Sequence, residues 1–318
     1  MDLERGTEAL FLTIYIVTFV TGMPLNLMAL FVLAKKFKQR LVSVDIFLFN
    51  LTISDLLLLA FLPFRMVEAA NGMKWNMPYI FCTLSGYLFF SSIYITSLFL
   101  MTISIERYMA VAFPVKYKLY KKPPYAIGAS IFIWIFASSH CSVVYIVNHL
   151  VNYNKTETNI TVCYRNFSPA QLAIVLPVRF EMSLVLFVVP FFVTIYCYLN
   201  FIKMIMSQTR IKKKKRQRAI GLVVATLVNF IICFLPYNIS HIVGFISHES
   251  PKWRDYALLL SVMNASVDPV IFYFSSSSLR NMFLDCLIYV LNKLNLKRWS
   301  QICMVTCEKE TDDTNVSS

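Results

Sequence analysis

Charged residues are scarce in this chain. Asp, Glu, Lys and Arg together make up 15% of the 318 residues, whereas 58% are hydrophobic. A soluble domain of this size carries about a quarter charged residues. The composition therefore excludes an ordinary soluble protein and indicates that lipid surrounds much of the chain. The sequence also lacks an internal repeat of fixed period and any sign of a second domain, which leaves a single membrane domain.

Acidic residues are fewer than basic ones, 17 against 30, which gives a net charge of +13. Such an excess can indicate nucleic-acid binding, but here the basic residues stand in short clusters between apolar runs, as in membrane proteins. We therefore expect no nucleic-acid partner. The segment 1–8 has no basic stretch and no small-residue cleavage site. The first apolar run is thus interpreted as a retained helix and not as a signal peptide.

Catalytic patterns are missing as well. No His/Glu pattern suited to a metal ion and no Ser/His/Asp set stands at bilayer depth in the sequence. These are the constellations from which an enzyme site is built. We therefore predict no enzymatic activity, no catalytic residue and no catalytic metal.

Seven long apolar runs are present instead. Each reaches the length of about 20 residues that a helix needs to cross the hydrocarbon core, and a shorter segment, 277–290, has apolar residues on one helical face. The sequence therefore predicts an all-α membrane protein: a seven-transmembrane helix bundle with a short amphipathic eighth helix. The division is 1–8 extracellular, 9–276 bundle, 277–290 amphipathic helix and 291–318 cytoplasmic tail, with spans at 9–34, 44–70, 79–112, 125–148, 171–203, 218–246 and 255–275.

Basic residues distinguish the two sides of the membrane. The loops after the first, third and fifth spans contain basic clusters at 35–40, 116–122 and 210–218, and the alternate loops are far less basic. Because Lys and Arg are enriched in cytoplasmic loops, we predict an extracellular N-terminus and a cytoplasmic C-terminus.

The loop before the fifth span carries three glycosylation acceptors on the predicted outer side, Asn154, Asn159 and Asn166. Cys163 lies in the same loop, and Cys82 stands at the outer start of the third span. Both cysteines face an oxidising compartment, so we expect a disulfide between them.

Several polar or helix-breaking residues stand inside the spans, where charges are costly and usually functional. They are Gly22-Met23-Pro24-Leu25-Asn26, Leu51-Thr52-Ile53-Ser54-Asp55, Glu106-Arg107-Tyr108, Trp134, Pro190, Tyr198, Cys233-Phe234-Leu235-Pro236-Tyr237 and Asn264-Ala265-Ser266-Val267-Asp268-Pro269. In this order the set resembles the rhodopsin-like G-protein-coupled receptors across residues 10–290. The resemblance implies a plasma-membrane receptor that converts binding of an extracellular ligand into activation of a G protein, with arrestin as a further partner.

The resemblance also assigns roles in activation. Arg107 is expected to be held by Glu106, beside Tyr108, and then to be freed for the G protein. Span six is expected to swing outward at its proline. Further roles fall on Tyr198, Phe234, Pro236, Asp268 and Pro269. The chain departs from the family pattern at Phe234, where a Trp is usual, at Phe272, where a Tyr is usual, and at Arg216, where an acid is usual.

Two carboxylates lie in the middle of spans, Asp55 and Asp268. Two ionised carboxylates cannot share a dry site without a cation or a proton. The family resemblance places them with Asn26, Thr96 and Asn264 around an allosteric sodium ion, the one cofactor considered. The alternative is a permanently protonated Asp in a hydrogen-bonded network.

Four basic side chains are expected at the outer part of the bundle: Arg179, Arg254, His140 and His241. No matching acid is apparent in the nearby spans, because Glu181 stands on another side of its helix from Arg179. A small anion is therefore the expected partner, since guanidinium groups bind carboxylates bidentately. The alternatives are that Arg254 is a solvated loop residue, that Arg179 pairs with an unseen acid, and that His140 is a core histidine.

The matching stretches narrow the resemblance to the free fatty acid receptor family. They are 62–73, 139–145, 176–179 and 236–241. In that family the counterparts of Arg179, Arg254 and His241 hold a carboxylate, and His241 is typical of the short-chain branch. The counterparts of Phe90, His140, Tyr145 and Tyr237 shape the pocket. The resemblance thus implies a Gi/o-coupled receptor for short-chain fatty acids of the acetate, propionate and butyrate class, which lowers cAMP.

Two other functions remain open from the sequence. One is a receptor for another small carboxylate, such as a hydroxy acid or a ketone body. The other is a small-anion transporter, because arginines inside the spans would also suit one. Transporters usually show repeated halves around a midplane site, and this chain has seven unrepeated spans.

Overall fold

The structure is a computed structural model that describes residues 2–39, 41–120, 122–152, 163, 168–208, 212–275 and 277–293, and the statements below concern these residues. They form ten α-helices and one π-helical segment. Seven helical stretches are long and apolar enough to cross a membrane. The helices are α1 Asp2–Gln39, α2 Ser43–Ala70, α3 Tyr79–Ala112, α4 Pro114–Tyr120, α5 Pro123–Asn152, α6 Pro169–Ser183, α7 Val189–Ser207, α8 Lys213–Ser247, α9 Arg254–Ser275 and α10 Ser277–Lys293, with the π segment Leu184–Val188 between α6 and α7.

The seven predicted spans are confirmed, and their ends differ by a few residues. The first helix begins at Asp2, before the expected start at residue 9, because a span longer than the hydrocarbon core can continue into water. The short helix α4, in the loop after the third span, was not predicted. Its seven residues are too few to give a clear periodic pattern.

The fifth span is interrupted rather than continuous. Ser168 caps its start: the Ser168 hydroxyl accepts from the Gln171 N–H, and the Gln171 side chain accepts from the Ser168 N–H. Fifteen residues later the helix widens into the π segment, just before Pro190. Proline has no N–H to bond the carbonyl four residues earlier, and a π-bulge is one way to relieve that loss within a helix.

The helices form a closed bundle around α3. Helix α1 packs between α2 and α9, α3 packs against α2, α5 and α7, and α8 packs against α6 and α9. Gly22 permits the close approach of α1, since a Cβ there would stand 3.2 Å from the Ser266 hydroxyl of α9. Large apolar side chains on the outside, such as Phe132, Phe192 and Ile246, are more than half exposed. Such a surface suits lipid and not water.

Polar side chains connect neighbouring helices inside this bundle. Trp134 on α5 donates through its indole N–H to the Asn50 side-chain oxygen on α2, at 2.9 Å. The Asn50 amide lies 3.3 Å from the Ser130 hydroxyl on α5. Hydrogen bonds between membrane helices satisfy groups that hydrocarbon cannot, so Asn50 fixes how α2 meets α5.

A disulfide marks one end of the bundle. Cys82 and Cys163 are joined, as expected. We refer to this end as the disulfide end, and to the opposite end, where α4 and the N-terminus of α8 lie, as the basic end. Cys141, Cys197 and Cys233 are free and buried.

The predicted amphipathic helix is also confirmed. Helix α10 packs against α1 and α9. Phe283 and Leu284 are buried, and the Phe283 ring meets the Tyr273 ring edge-on at 6.0 Å. The expected glycosylation acceptors Asn154, Asn159 and Asn166 lie outside the described residues.

Candidate functional site

A small central cavity lies between α3, α5, α6 and α8. The space open to the centre of a water molecule is about 20 Å³, enough for one or two waters. Five of the seven expected pocket residues contribute to its wall. The lining residues are Phe90, Tyr94, Cys141, Val144, Tyr145, Arg179, Met182, Tyr237 and His241. We refer to these nine residues as the central cavity.

Two buried guanidinium groups lie close to each other here, one in the wall of this space and one near it. Arg179 projects from α6 and is 7% exposed, and Arg254 begins α9 and is 5% exposed. They are close enough for their charges to repel. Arg254 Nη2 lies 3.2 Å from Asp255 Oδ1, and its Nη1 has no hydrogen-bond partner among the described residues. The burial of Arg254 excludes the alternative of a solvated loop residue.

Aromatic rings hold His241 in place. The His241 imidazole meets the Tyr237 ring edge-on at 4.5 Å, one helical turn away on α8. The Phe90 ring of α3 stacks on the Tyr237 ring, with 6.2 Å between their centroids. Tyr94, which the sequence reasoning missed, is fully buried in the same wall and lies close to Arg179. A tyrosine in the middle of an apolar run is the signal that could have identified it.

Two expectations about the charges here were wrong. His140 does not line the central cavity: its ring packs edge-on against Phe136 at 4.5 Å, and its Nε2 lies 3.4 Å from Glu181. The second wrong expectation was that no acid matches these basic residues. Asp255 lies beside Arg254, and Glu181 lies beside His140. The error arose because helical spacing shows which face a residue occupies but not which neighbouring helix that face meets.

A second space, the side cavity, adjoins the first and shares Phe90 with it. It lies between α1, α2, α3 and α9, with about 30 Å³ open to a water centre. Four charged side chains line it: Arg65, Glu68, Arg254 and Asp255. Arg65 and Glu68 lie within the matching stretch 62–73, and the sequence alone indicated no role for them.

The two mid-span carboxylates occupy one polar cluster. Asp55 and Asp268 are 3% and 1% exposed and close enough to repel each other. Asp268 accepts from the Asn264 amide at 2.8 Å and from the Asn229 amide at 3.3 Å. Asn229, an amide within the apolar run of α8, was not predicted. Asp55 Oδ2 has no hydrogen-bond partner in the described part of the chain.

Asn26 and Thr96, the other expected members of this cluster, are both buried. The Asn26 amide donates to the carbonyl of Ala265 at 2.7 Å, and its Oδ1 has no hydrogen-bond partner within the described ranges. Oxygen atoms of this kind are the ligands that hard cations prefer. The residues present therefore fit a sodium ion.

At the basic end, Glu106 does not hold Arg107. The expected ion pair is absent from the described residues. Instead the Tyr117 hydroxyl of α4 donates to Glu106 Oε2 at 2.5 Å. Burial, followed by the hydrogen bond to Glu106, raises the pKa of Tyr117 well above its ordinary value, so the phenol stays a donor at neutral pH. Arg107 Nη1 is buried, and no described residue forms a hydrogen bond with it.

The remaining activation residues lie along α3, α7, α8 and α9. Tyr198 is buried close to Arg107, and Tyr108 meets Tyr196 edge-on at 6.2 Å. Arg216 donates to the Met206 carbonyl at 3.4 Å. Phe234 is buried, and Pro236 and Pro269 lie inside their helices.

Residues 25–272 match the family described as 7 transmembrane receptor (rhodopsin family). The chain belongs to this family. The family is a receptor family and not an enzyme family, and its members act through a ligand and a G protein. This receptor is therefore a multi-pass membrane protein, in agreement with its seven spans.

Its relatives narrow the group. The receptor is 51% identical to free fatty acid receptor 3 of Mus musculus over 278 residues, which are 87% of this chain and 86% of the relative. It is 49% identical to free fatty acid receptor 3 of Homo sapiens over 283 residues, 89% of this chain and 81% of the relative. It is also 49% identical to free fatty acid receptor 2 of Rattus norvegicus over 288 residues, 90% of this chain and 87% of the relative. The receptor thus groups with free fatty acid receptors 2 and 3.

Proposed function

We propose that this receptor detects short-chain carboxylates of the acetate, propionate and butyrate class and activates Gi/o proteins, which lowers cAMP. It acts at the plasma membrane with its N-terminus outside, and arrestin is a further partner. The observation that carries this proposal is a pair of buried guanidinium groups, Arg179 in the wall of the central cavity and Arg254 close to Arg179 and His241.

Electrostatics favours an anion at this place. Two buried positive charges that repel each other cost free energy, and a carboxylate between them offsets that cost with charge-assisted hydrogen bonds. Arg254 Nη1, which no described residue engages, is one available donor. His241 and Tyr237, which stand beside the cavity, supply further donors when their polar atoms face the ligand.

The shape of the cavity favours a small ligand. Only about 20 Å³ is open to a water centre, so even propionate would require side chains to move, and a long acyl chain would require many more to do so. The apolar wall offers Val144, Met182 and Phe90 to a short alkyl tail. A receptor site of this kind suits a carboxylate of a few carbons better than a long-chain fatty acid.

The small size also limits affinity. Propionate has about five heavy atoms, and the best small ligands reach about −1.5 kcal/mol per atom. The limit is therefore about −7.5 kcal/mol, a dissociation constant of a few micromolar. Desolvation of the carboxylate and ordering of the arginines lower the affinity further, so we expect potency of roughly 0.01–1 mM on the same bound.

Ligand binding is expected to act through α8. Tyr237 and His241 line the cavity on the same helix that carries Phe234 and Pro236. A proline lacks one helical hydrogen bond and permits bending. A carboxylate that draws Arg179 of α6 and Arg254 of α9 together would therefore change how far α8 bends at Pro236. That bend would open the basic end of the bundle around Arg107.

A sodium ion at the Asp55 and Asp268 cluster would oppose this change. Asp55, Asn26, Thr96, Asn264 and Asp268 are the residues that would hold it. The bound ion would supply the positive charge that allows both carboxylates to stay ionised. The alternative, a protonated Asp55, predicts that potency for propionate is independent of sodium concentration.

The test is a Gi activation assay with carboxylates of two to six carbons in cells that express the receptor, beside matched cells without it. We expect activation by two- to four-carbon acids and a lower response to the six-carbon acid. Activation by hydroxy acids or ketone bodies alone would favour that other ligand class. Uptake of labelled propionate by receptor-containing liposomes, without G-protein activation, would favour a transporter.

A further inference from the structure

The side cavity is lined by one buried ion pair, Arg65 with Glu68, and one partly buried pair, Arg254 with Asp255, and both pairs have unused polar atoms. Arg65 Nη1 lies 2.8 Å from Glu68 Oε2, and the two residues are 8% and 3% exposed. Among the described residues, Arg65 Nε and Glu68 Oε1 have no hydrogen-bond partner, nor does Arg254 Nη1. Most buried polar atoms in folded proteins are hydrogen-bonded, so three atoms without a partner, all on residues that line one cavity, call for a water or a ligand.

Two aromatic rings hold the Arg65 guanidinium in place. The Arg65 guanidinium lies over the ring of Phe89 at 5.5 Å and near the ring of Trp75 at 5.8 Å. Cation–π contacts of this kind fix the plane of a guanidinium and leave its edge for hydrogen bonds. Cys163 of the disulfide also lines the space. The side cavity is therefore built on rigid elements.

The polar atoms in the side cavity select a ligand chemistry. Its four charged side chains, Arg65, Glu68, Arg254 and Asp255, sum to zero, so a plain carboxylate would meet repulsion as well as attraction. Arg65 Nε and Arg254 Nη1 need an acceptor, and Glu68 Oε1 needs a donor. A carboxylate with a hydroxyl or ammonium group next to it supplies both.

We propose that the side cavity is a second ligand site, which takes a compact acid with a hydrogen-bond donor beside its carboxylate, an α-hydroxy acid or an α-amino acid. The carboxylate binds Arg65 and Arg254, and the donor binds Glu68. The site is separate from the central cavity but shares Phe90 with it, and Arg254 lies beside both. This inference holds whether or not the central cavity binds propionate.

Because both proposed sites use Arg254, binding at one site should lower the affinity of the other. A ligand in the side cavity engages Arg254 Nη1, which then is not available to a carboxylate in the central cavity. Such a ligand should lower the affinity for propionate, by about tenfold for a typical coupling energy. The effect should reach a plateau, because the ligands occupy different spaces.

Three acids with the same carbon skeleton test the proposal. Propionate, L-lactate and L-alanine differ only in the group on the second carbon: hydrogen, hydroxyl or ammonium. Binding of labelled L-lactate and L-alanine is measured on the full-length receptor in nanodiscs. We expect saturable binding of one or both, lost in Glu68→Gln and retained in Arg179→Ala. The acid that binds distinguishes a hydroxyl donor from an ammonium donor.

Controls keep folding and site assignment separate. Glu249→Gln removes an exposed acid outside both cavities and should bind like the wild type. Arg65→Lys keeps the ion pair with Glu68 but removes Nε, and should weaken binding without abolishing folding, as checked by thermal unfolding. Every variant must have an unfolding temperature near that of the wild type. If Glu68→Gln fails to fold, the effect of Arg65→Lys on binding alone tests whether the acids bind in the side cavity.

Two results would overturn the proposal. Absence of binding up to 10 mM for both acids (on the order of the weakest affinities that small ligands show) means that the side cavity holds water only. Binding that survives Glu68→Gln and Arg65→Lys but is lost in Arg179→Ala places the acids in the central cavity. A failure of propionate to activate the receptor is a separate result, which concerns the central cavity alone.

Discussion

Tyr117 forms a hydrogen bond with Glu106, the acid that would otherwise pair with Arg107. Glu106 is the natural partner of the neighbouring Arg107, but in this structure its carboxylate accepts from Tyr117 at 2.5 Å. Arg107 keeps a buried nitrogen without a partner among the described residues and lies close to Tyr198. A buried charge with an unused donor favours capture of a new acceptor, and a G protein would offer one.

We therefore expect Tyr117→Phe to lower ligand-independent G-protein activation. The change removes the donor and leaves Glu106 free to hold Arg107. Because a hydrogen bond to a charged group contributes about 1.5–3 kcal/mol, the loss of basal activity should be at least about threefold. Basal activity is measured at matched surface expression.

A control and a second change separate this mechanism from damage to α4. Tyr125→Phe alters a tyrosine that is 65% exposed, and should leave basal activity unchanged. Adding Glu106→Gln to Tyr117→Phe should restore activity, because the acid that captures Arg107 is then gone. Equal basal activity in wild type and Tyr117→Phe would show that Tyr117 has no such role.

At the scale of helices, we expect the contact between α2 and α5 to depend on the side-chain amide of Asn50. Asn50 accepts from Trp134 and lies within hydrogen-bond distance of Ser130, both on α5. Interhelical hydrogen bonds in membranes contribute about 0.6 kcal/mol each. Asn50→Ala should therefore cost about 1 kcal/mol and lower the unfolding temperature by roughly 3 °C.

Asn200→Ala is the matched control. Its amide bonds only the Tyr196 carbonyl of its own helix within the described part of the chain, at 2.9 Å. Thermal unfolding of both variants in nanodiscs decides the matter. An equal fall in unfolding temperature for the two asparagines would mean that the contact between α2 and α5 does not depend on Asn50.

The fifth span illustrates the limit of sequence reasoning about elements. Its length as an apolar span and its proline, Pro190, could be recognised in the sequence, but the π segment before the proline could not be predicted. A proline permits several local responses, such as a kink or a π-bulge, and packing against neighbouring helices selects among them. Helix α10, by contrast, was predictable because its apolar residues repeat on one face.

For the whole molecule, the bundle could be predicted and the arrangement of its charges could not. Hydropathy and basic loops specified seven spans, because lipid demands continuous apolar helices. Residue types inside the spans also indicated Arg179, Arg254 and His241 as candidate ligand-binding residues. The partners of His140 and Glu106 lie on other elements, α6 and α4, and only the packed structure shows which helix each side chain meets.

The central claim is that Arg179 and Arg254 together hold a short-chain carboxylate. Because each supplies charge-assisted hydrogen bonds of about 1.5–3 kcal/mol, Arg179→Ala and Arg254→Ala should each lower propionate potency about ten- to hundredfold or abolish the response. Arg179→Lys should restore only part of it, since an ammonium group cannot reproduce the guanidinium fork. Lys252→Ala, an exposed cation two residues from Arg254, is the matched control.

The most direct measurement is the propionate dose–response curve for Gi activation, recorded for wild type, the two alanine variants and the control at matched surface expression. We expect curves that coincide for wild type and Lys252→Ala and that shift to at least about tenfold higher concentration for either arginine variant. Full retention of the propionate response in both arginine variants would contradict it.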